Sequence, residues 1–241
     1  MMSRRQILLT AFYGLLFPGG VAANINQTEK IDWPEFYKRM NKLANESNNK
    51  LVSQNEMEKL SLQYLKDLDI SSTYFKQAIE QSYETGNQYW LWQRLVKTEY
   101  LNGGILNINK NKVVQLHDHP GATGILRILS GETEVWLFDE THNSVNKSEN
   151  GKHTVTEDQS ISELTLVSHR LLKAGDMAIL TPDKGNIHAL RATSNECRML
   201  DFFIPPYNRS ERNWYEPLTD NWFNQKSIRC KKIPQHAYNF A

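Results

Sequence analysis

The chain has 241 residues and a formal net charge of +1. That length supports one substantial domain with room for a small helical addition, and the balance of acids and bases, with no basic block, gives no reason to expect nucleic acid or an anionic surface as partner. Two cysteines, Cys197 and Cys230, are too few for a disulfide framework, and pairing or free thiols both stay open.

Met1 to Ala23 has the shape of a secretory signal. Arg4 and Arg5 form a charged start, Ile7 to Phe17 is apolar, and Val21-Ala22-Ala23 supplies small residues for cleavage near Ala23-Asn24. The apolar run is too short to span a bilayer comfortably, so no stable membrane span is expected after cleavage. Ser3-Arg4-Arg5-Gln6-Ile7-Leu8 also resembles a twin-arginine export signal. The expected location is periplasmic or secreted; the alternatives are an uncleaved anchor, or a cytoplasmic protein if the segment is not a functional signal.

Residues 24–241 are expected to form one domain, helical over 31–88 and a barrel over about 89–215. Trp33, Phe36, Tyr37 and Met40 recur at three- and four-residue steps behind Asp32 and Pro34, which predicts a first helix. Met57, Leu60, Tyr64 and Leu65 line one face of a second. Tyr74, Phe75, Ala78 and Ile79 give a third its inward face. These aromatics are read as core, packing helices on the outside of a sheet.

Short strands with turn signals follow. Tyr89 to Tyr100 is ambiguous between strand and helix, and Asn102-Gly103-Gly104 reads as a turn before a strand at Ile105 to Ile108. Further strands are expected at Val113 to Leu116, Gly124 to Leu129 and Thr133 to Phe138. Asp139 to Ser162 is polar and reads as a long surface loop or inserted hairpin, with His142 and His153 solvated. Strands resume at Leu164 to Leu172, Met177 to Leu180, His188 to Ala192 and Cys197 to Ile204, which Pro205-Pro206 ends. The aromatic tail, with Trp214, Tyr215, Trp222 and Phe223, is expected to lie against the barrel as a lid.

His117-Asp118-His119 sits between two of these strands. Alternate strand residues share a face, so both imidazoles can aim at one point. His188, presented by the turn Gly185-Asn186-Ile187, is the third candidate ligand. Three neutral imidazoles leave a divalent ion its full charge, which favours an anionic ligand such as a thiolate. Zinc, nickel, copper or iron would accept these nitrogens, so the ligand set does not name the metal.

Two glycine-punctuated strand pairs, one carrying His-x-His and one a single His, resemble the two motifs of the cupin β-barrel. The expected fold class is therefore mainly β, a double-stranded β-helix or jelly roll with N-terminal helices packed outside. More specifically, Leu116-His117-Asp118-His119-Pro120-Gly121-x-Thr123 resembles the first motif of the thiol dioxygenases that include cysteamine dioxygenase and the plant cysteine oxidases. Gly185-Asn186-Ile187-His188 is similar to their second, and Leu200-Asp201-Phe202-Phe203-Ile204-Pro205-Pro206-Tyr207 to their Leu-Asp-x-x-x-Pro-Pro-Tyr segment.

The resemblance implies an Fe(II) enzyme, with His117, His119 and His188 as metal ligands, that adds both atoms of O₂ to a thiol sulfur to give a sulfinic acid. The implied partners are O₂ and a small aminothiol or a peptide with N-terminal cysteine, acted on by a monomer. Asp201 is expected near the metal, accepting a hydrogen bond from a substrate ammonium or a bound water; its alternative is an ion pair with Arg198 or Arg191. Tyr207 either donates its hydroxyl to the same pocket or packs beside Pro206. Asp118 is expected to face away and fix the turn or a ligand's second nitrogen. The chain has Arg212 and Tyr215 but lacks the fuller Gly-Arg-x-Cys-x-Tyr-Tyr pattern of some relatives. No arginine lies just before His117, where carboxylate-binding cysteine dioxygenases place one, which argues against free cysteine as best substrate. The alternative function is a non-catalytic metal- or ligand-binding cupin of the cell envelope.

Overall fold

The computed structural model describes residues 30–86, 90–141 and 161–239. The segment read as a signal, and His142 and His153, lie outside them.

Three helices open the described chain: α1 (Trp33–Asn48), α2 (Gln54–Asp67) and α3 (Thr73–Glu80). Each starts where a side chain caps it, with Asp32, Ser53 and Ser72 accepting from the backbone N–H of Glu35, Glu56 and Phe75. The expected inward faces hold for Phe36, Met40, Met57, Leu65 and Phe75, whereas Tyr74 is exposed.

The expected helical stretch to residue 88 ends early, because Tyr83–Gly86 is already a strand, β1. The remaining strands are β2 (Trp90–Lys97), β3 (Asn102–Asn109), β4 (Val113–His117), β5 (Thr123–Ser130), β6 (Glu132–Thr141), β7 (Ile161–Lys173), β8 (Met177–Leu180), β9 (Ile187–Ala192), β10 (Glu196–Ile204), β11 (Asn213–Pro217) and β12 (Ser227–Pro234). They form a six-stranded sheet, β1-β2-β3-β10-β5-β8, and a closed ring, β11-β12-β7-β6-β9-β4. The mainly β, cupin-type barrel with outer helices is thus borne out. The polar stretch expected as a loop from 139 to 162 gives its ends to β6 and β7, with 142–160 outside the described residues.

Two expectations need correction. Asn102-Gly103-Gly104 is no turn but the start of β3. A Cβ at Gly103 would overlap the Phe202 ring, and one at Gly104 would meet the Gln93 carbonyl and the Trp92 indole. These glycines permit close approach within the sheet instead of bending the chain. The barrel does not end near 215 with a lid laid against it either: β11 and β12 pair with each other, and β12 pairs with β7, so the tail is part of the closed ring.

β10 shows how the sheet divides its labour. Leu200, Phe202 and Ile204 face the helices in one core cluster, and Phe36 meets Phe202 at 5.4 Å between ring centroids. Asp201 and Phe203 point the other way, into the barrel cavity, as a period of two requires. Arg127 of β5 ties the helices on, donating to the carbonyls of Leu65 and Leu68 at 2.5 and 3.1 Å, which are orphan acceptors at the end of α2.

Candidate metal centre

His117 ends β4, where register pairs it with His188 of β9. Trp214 of β11 is the neighbour of His117 on its other side. His119 lies beyond the strand, in the loop to β5, so strand alternation alone does not bring it in. Asn186 does: its Oδ1 accepts from the His119 N–H at 2.7 Å, and its Nδ2 donates to the His119 carbonyl at 3.2 Å. The second motif thereby clamps the backbone of the first. Gly185 allows this with φ +65°, the left-handed turn that glycine adopts without strain, and its N–H donates to Asp139.

The result is a buried cluster. Ring centroids of His117 and His188 are 4.4 Å apart, those of His117 and His119 4.8 Å, and those of His119 and His188 4.9 Å. One nitrogen from each ring lies within 4.8 Å of the others, an arrangement that could hold a metal ion. The nitrogens fit that purpose. His117 Nδ1 lies 2.7 Å from the Gln115 carbonyl and His188 Nδ1 2.9 Å from the Asn186 carbonyl. A carbonyl only accepts, so both Nδ1 atoms carry the proton and both Nε2 atoms keep a lone pair. His119 Nδ1 is buried with no hydrogen-bond partner.

Burial lowers the pKa of all three rings, further aided for His117 and His119 by the neighbouring imidazoles and Arg212; His188 is brought down to about 4. Neutral imidazole is the form that binds a metal. In the metal-free protein the unfolded chain takes up protons below about pH 6.5 that the folded site refuses. Stability present above that pH is lost as pH falls toward 4, and His188 alone accounts for about 3 kcal/mol. Denaturant midpoints of stripped protein should therefore drop steeply between about pH 6.5 and 4; midpoints that stay level across that window would show the rings to be solvated.

A cavity of about 300 Å³ opens onto the three histidines, walled by Trp90, Trp92, Leu106, Phe203 and Trp214. Asp201 lines it and forms no ion pair with Arg198 or Arg191, which bond Asn107 and Glu134 instead. Removal from water raises its carboxyl to about 8, against the lowering pull of Arg212. Tyr207 lines the cavity too and stacks on His119, with ring centroids 4.3 Å apart. Its hydroxyl oxygen accepts from Arg212 Nη2. Asp118 faces away, but fixes no histidine nitrogen: it accepts from Asn213 N, Asn213 Nδ2 and Tyr215 Oη at 2.7, 2.9 and 3.1 Å, fastening β11 to the ligand loop.

Among the described residues, His169 and both cysteines stay outside this cluster. His169 stacks on Trp136 and contacts Glu134. Cys197 and Cys230 are free, buried thiols, each pushed up to about 12 by burial, so neither offers a ready thiolate. Sequence reasoning missed Asn102 and Trp92 as cavity residues, because glycines after Asn102 suggested a turn and Trp92 sat in an ambiguous stretch. Arg212 was visible only as part of an incomplete motif.

A double-stranded β-helix barrel with three buried imidazoles converging at its mouth defines a cupin with a candidate metal centre. The PCO_ADO family model matches residues 54–235, and the chain belongs to that family. The resemblance read from the three motifs is borne out at that level. The chain is similar to the probable 2-aminoethanethiol dioxygenase of Dictyostelium discoideum, at 28% identity over 127 residues, covering 52% of each protein. It is also similar to the 2-aminoethanethiol dioxygenase of Mus musculus, at 22% identity over 129 residues, covering 48% of this chain and 49% of that one. The chain spans about half the length of the curated relatives it matches. Among solved structures, KdgF from Halomonas sp. is similar at 14% identity with a TM-score of 0.38, covering 52% of this chain and 90% of that one. A double-stranded β-helix protein from Klebsiella pneumoniae aligns at 15% identity and a TM-score of 0.35, over 53% of this chain and 86% of its own.

Proposed function

We propose that this protein is an Fe(II)-dependent thiol dioxygenase acting on a small thiol that carries an amine. The observation that carries the reading is a buried cluster of three neutral imidazoles, with no carboxylate grouped with them among the described residues, opening on the same cavity as Asp201. Iron held by His117, His119 and His188 would supply a Lewis acid for a thiolate and an electron source for O₂. A cluster of neutral ligands keeps the site's positive charge, and the Arg212 guanidinium, 3.4 Å from His119 Nε2, adds to it. Both favour the thiolate over the thiol. The overall change is RSH + O₂ to RSO₂H, so both oxygens end on sulfur.

The cavity residues orient and exclude water. Trp92, Phe203 and Trp214 supply an apolar wall that keeps the sulfur dry. Asp201 is the acceptor for the substrate ammonium; proximity of that cation pulls the carboxyl back toward ionisation, so the charges form together. Because Tyr207 accepts from Arg212, its own hydroxyl proton is left to donate into the cavity.

Asp201→Asn, which keeps the shape and removes the charge, should raise KM for cysteamine by about ten- to a hundredfold. The same change should affect a thiol without an amine far less. Steady-state oxygen uptake with both thiols measures the difference, and an equal loss for both would remove Asp201 from amine recognition. The wild-type reading fails if iron-loaded protein consumes no O₂ with any aminothiol or Cys-initiated peptide. We further propose export directed by Met1 to Ala23; native protein whose N-terminus is Met1 in the soluble cytosol would contradict that.

A further inference from the structure

The cavity holds a cation as well as an acid. Arg212 follows the turn at Arg209–Glu211, immediately before β11, and its side chain lines the cavity beside the histidines. Its guanidinium carbon lies 4.9 Å from the Tyr207 ring and 5.3 Å from the Trp214 ring, so two aromatic faces fix its plane. Nη2 donates to Tyr207 Oη and approaches His119 Nε2 at 3.4 Å, but Nε is buried without a partner. Among the described residues no carboxylate forms an ion pair with it. Asp118 is felt electrostatically, yet its oxygens are engaged by Asn213 and Tyr215.

A desolvated guanidinium with an unused donor and no carboxylate in direct contact is costly unless something anionic joins it. Arg209 increases that cost, since it lines the same cavity and its positive charge repels that of Arg212. An anion placed between them would relieve both. The same cavity also holds acceptors: Asn102 Oδ1 is buried without a partner, and Asp201 lies two register pairs further along the same two strands, on the same face.

We propose that Arg212 is a carboxylate-binding residue, and that the preferred substrate is a zwitterionic thiol whose ammonium meets Asp201 and Asn102 while its carboxylate meets Arg212. The cation absent before His117 is supplied by the approach to β11. This rests on the thiol dioxygenase reading above and narrows its substrate class to thiol amino acids. Arginine suits the task because its planar fork matches a carboxylate with paired N–H donors.

Three thiols separate the contributions: free cysteine, cysteamine (the same skeleton without the carboxylate) and mercaptopropionate (the same skeleton without the amine). Their binding to metal-loaded protein is measured by calorimetry without oxygen, and sulfinate formation is measured separately in air. Cysteine should bind about tenfold to a hundredfold more tightly than cysteamine. Arg212→Gln should shrink that ratio to less than about twofold, and Arg212→Lys should retain part of it, since charge remains without the fork. Metal content is assayed in each variant. Should the glutamine variant lose its metal, the lysine variant alone carries the mutational test, with a ratio between one and the wild-type value supporting the subsite. Equal binding of cysteine and cysteamine by the wild type overturns it, as does an unchanged ratio in the metal-replete variants. Sulfinate formed from cysteamine with no preference for cysteine refutes the carboxylate subsite and leaves the dioxygenase standing. Absence of thiol binding and of sulfinate overturns both.

Discussion

His188→Ala should lower metal affinity by at least about a hundredfold, since losing an outer hydrogen-bond partner of a ligand already costs up to that much. His188 is a register partner of His117, and its Nδ1–H is fixed by the carbonyl of Asn186. Alanine therefore removes a preoriented nitrogen and leaves two rings of the three that converge, too few for a stable site. The strand itself should persist, because Ile187, Ala189 and Leu190 remain packed in the barrel. Elemental analysis after dialysis against a weak chelator checks the effect, with circular dichroism confirming the fold. Unchanged metal content would strike His188 from the ligand set.

Phe202→Ala should destabilise the fold by about 3–5 kcal/mol, the range for emptying a buried aromatic site. Phe202 is fully buried, lies over Gly103 and meets Phe36 of α1 edge to face. The cavity left behind would be bounded by sheet backbone and by helices fixed elsewhere through Arg127, so it could collapse only in part. Denaturant unfolding at neutral pH reads this as a lower midpoint with unchanged slope. A loss under about 1 kcal/mol would mean that the helices are not anchored through this ring. Because Asp201 and Phe203 flank it on the cavity face, the variant should also loosen substrate positioning.

The strand pattern of the barrel and two of its three histidines were legible in the sequence because they rest on local chemistry. His117 closes a period-two strand, and Gly185 marks the turn that presents His188. His119 was assigned to the same strand face, yet it leaves the strand, and only its tie to Asn186, distant in the chain, returns it to the site. Glycine misled in β3, since the residue that permits a turn equally permits Phe202 and Trp92 to lie against a strand. The tail was read as a lid for a similar reason. Trp214 and Tyr215 signal burial, but what they pack against depends on β11 meeting β4 and on β12 meeting β7, pairings that link distant parts of the chain. Arg212 reaches the cavity through those same pairings, which no local spacing reveals.

The proposed oxidation of a thiol by an iron that His117, His119 and His188 would hold is tested most directly by supplying isotopically heavy O₂ to iron-loaded protein with an aminothiol and weighing the product. The account predicts a sulfinic acid carrying two heavy oxygen atoms. A product with label from water, a disulfide without added oxygen, or unaltered thiol would contradict it.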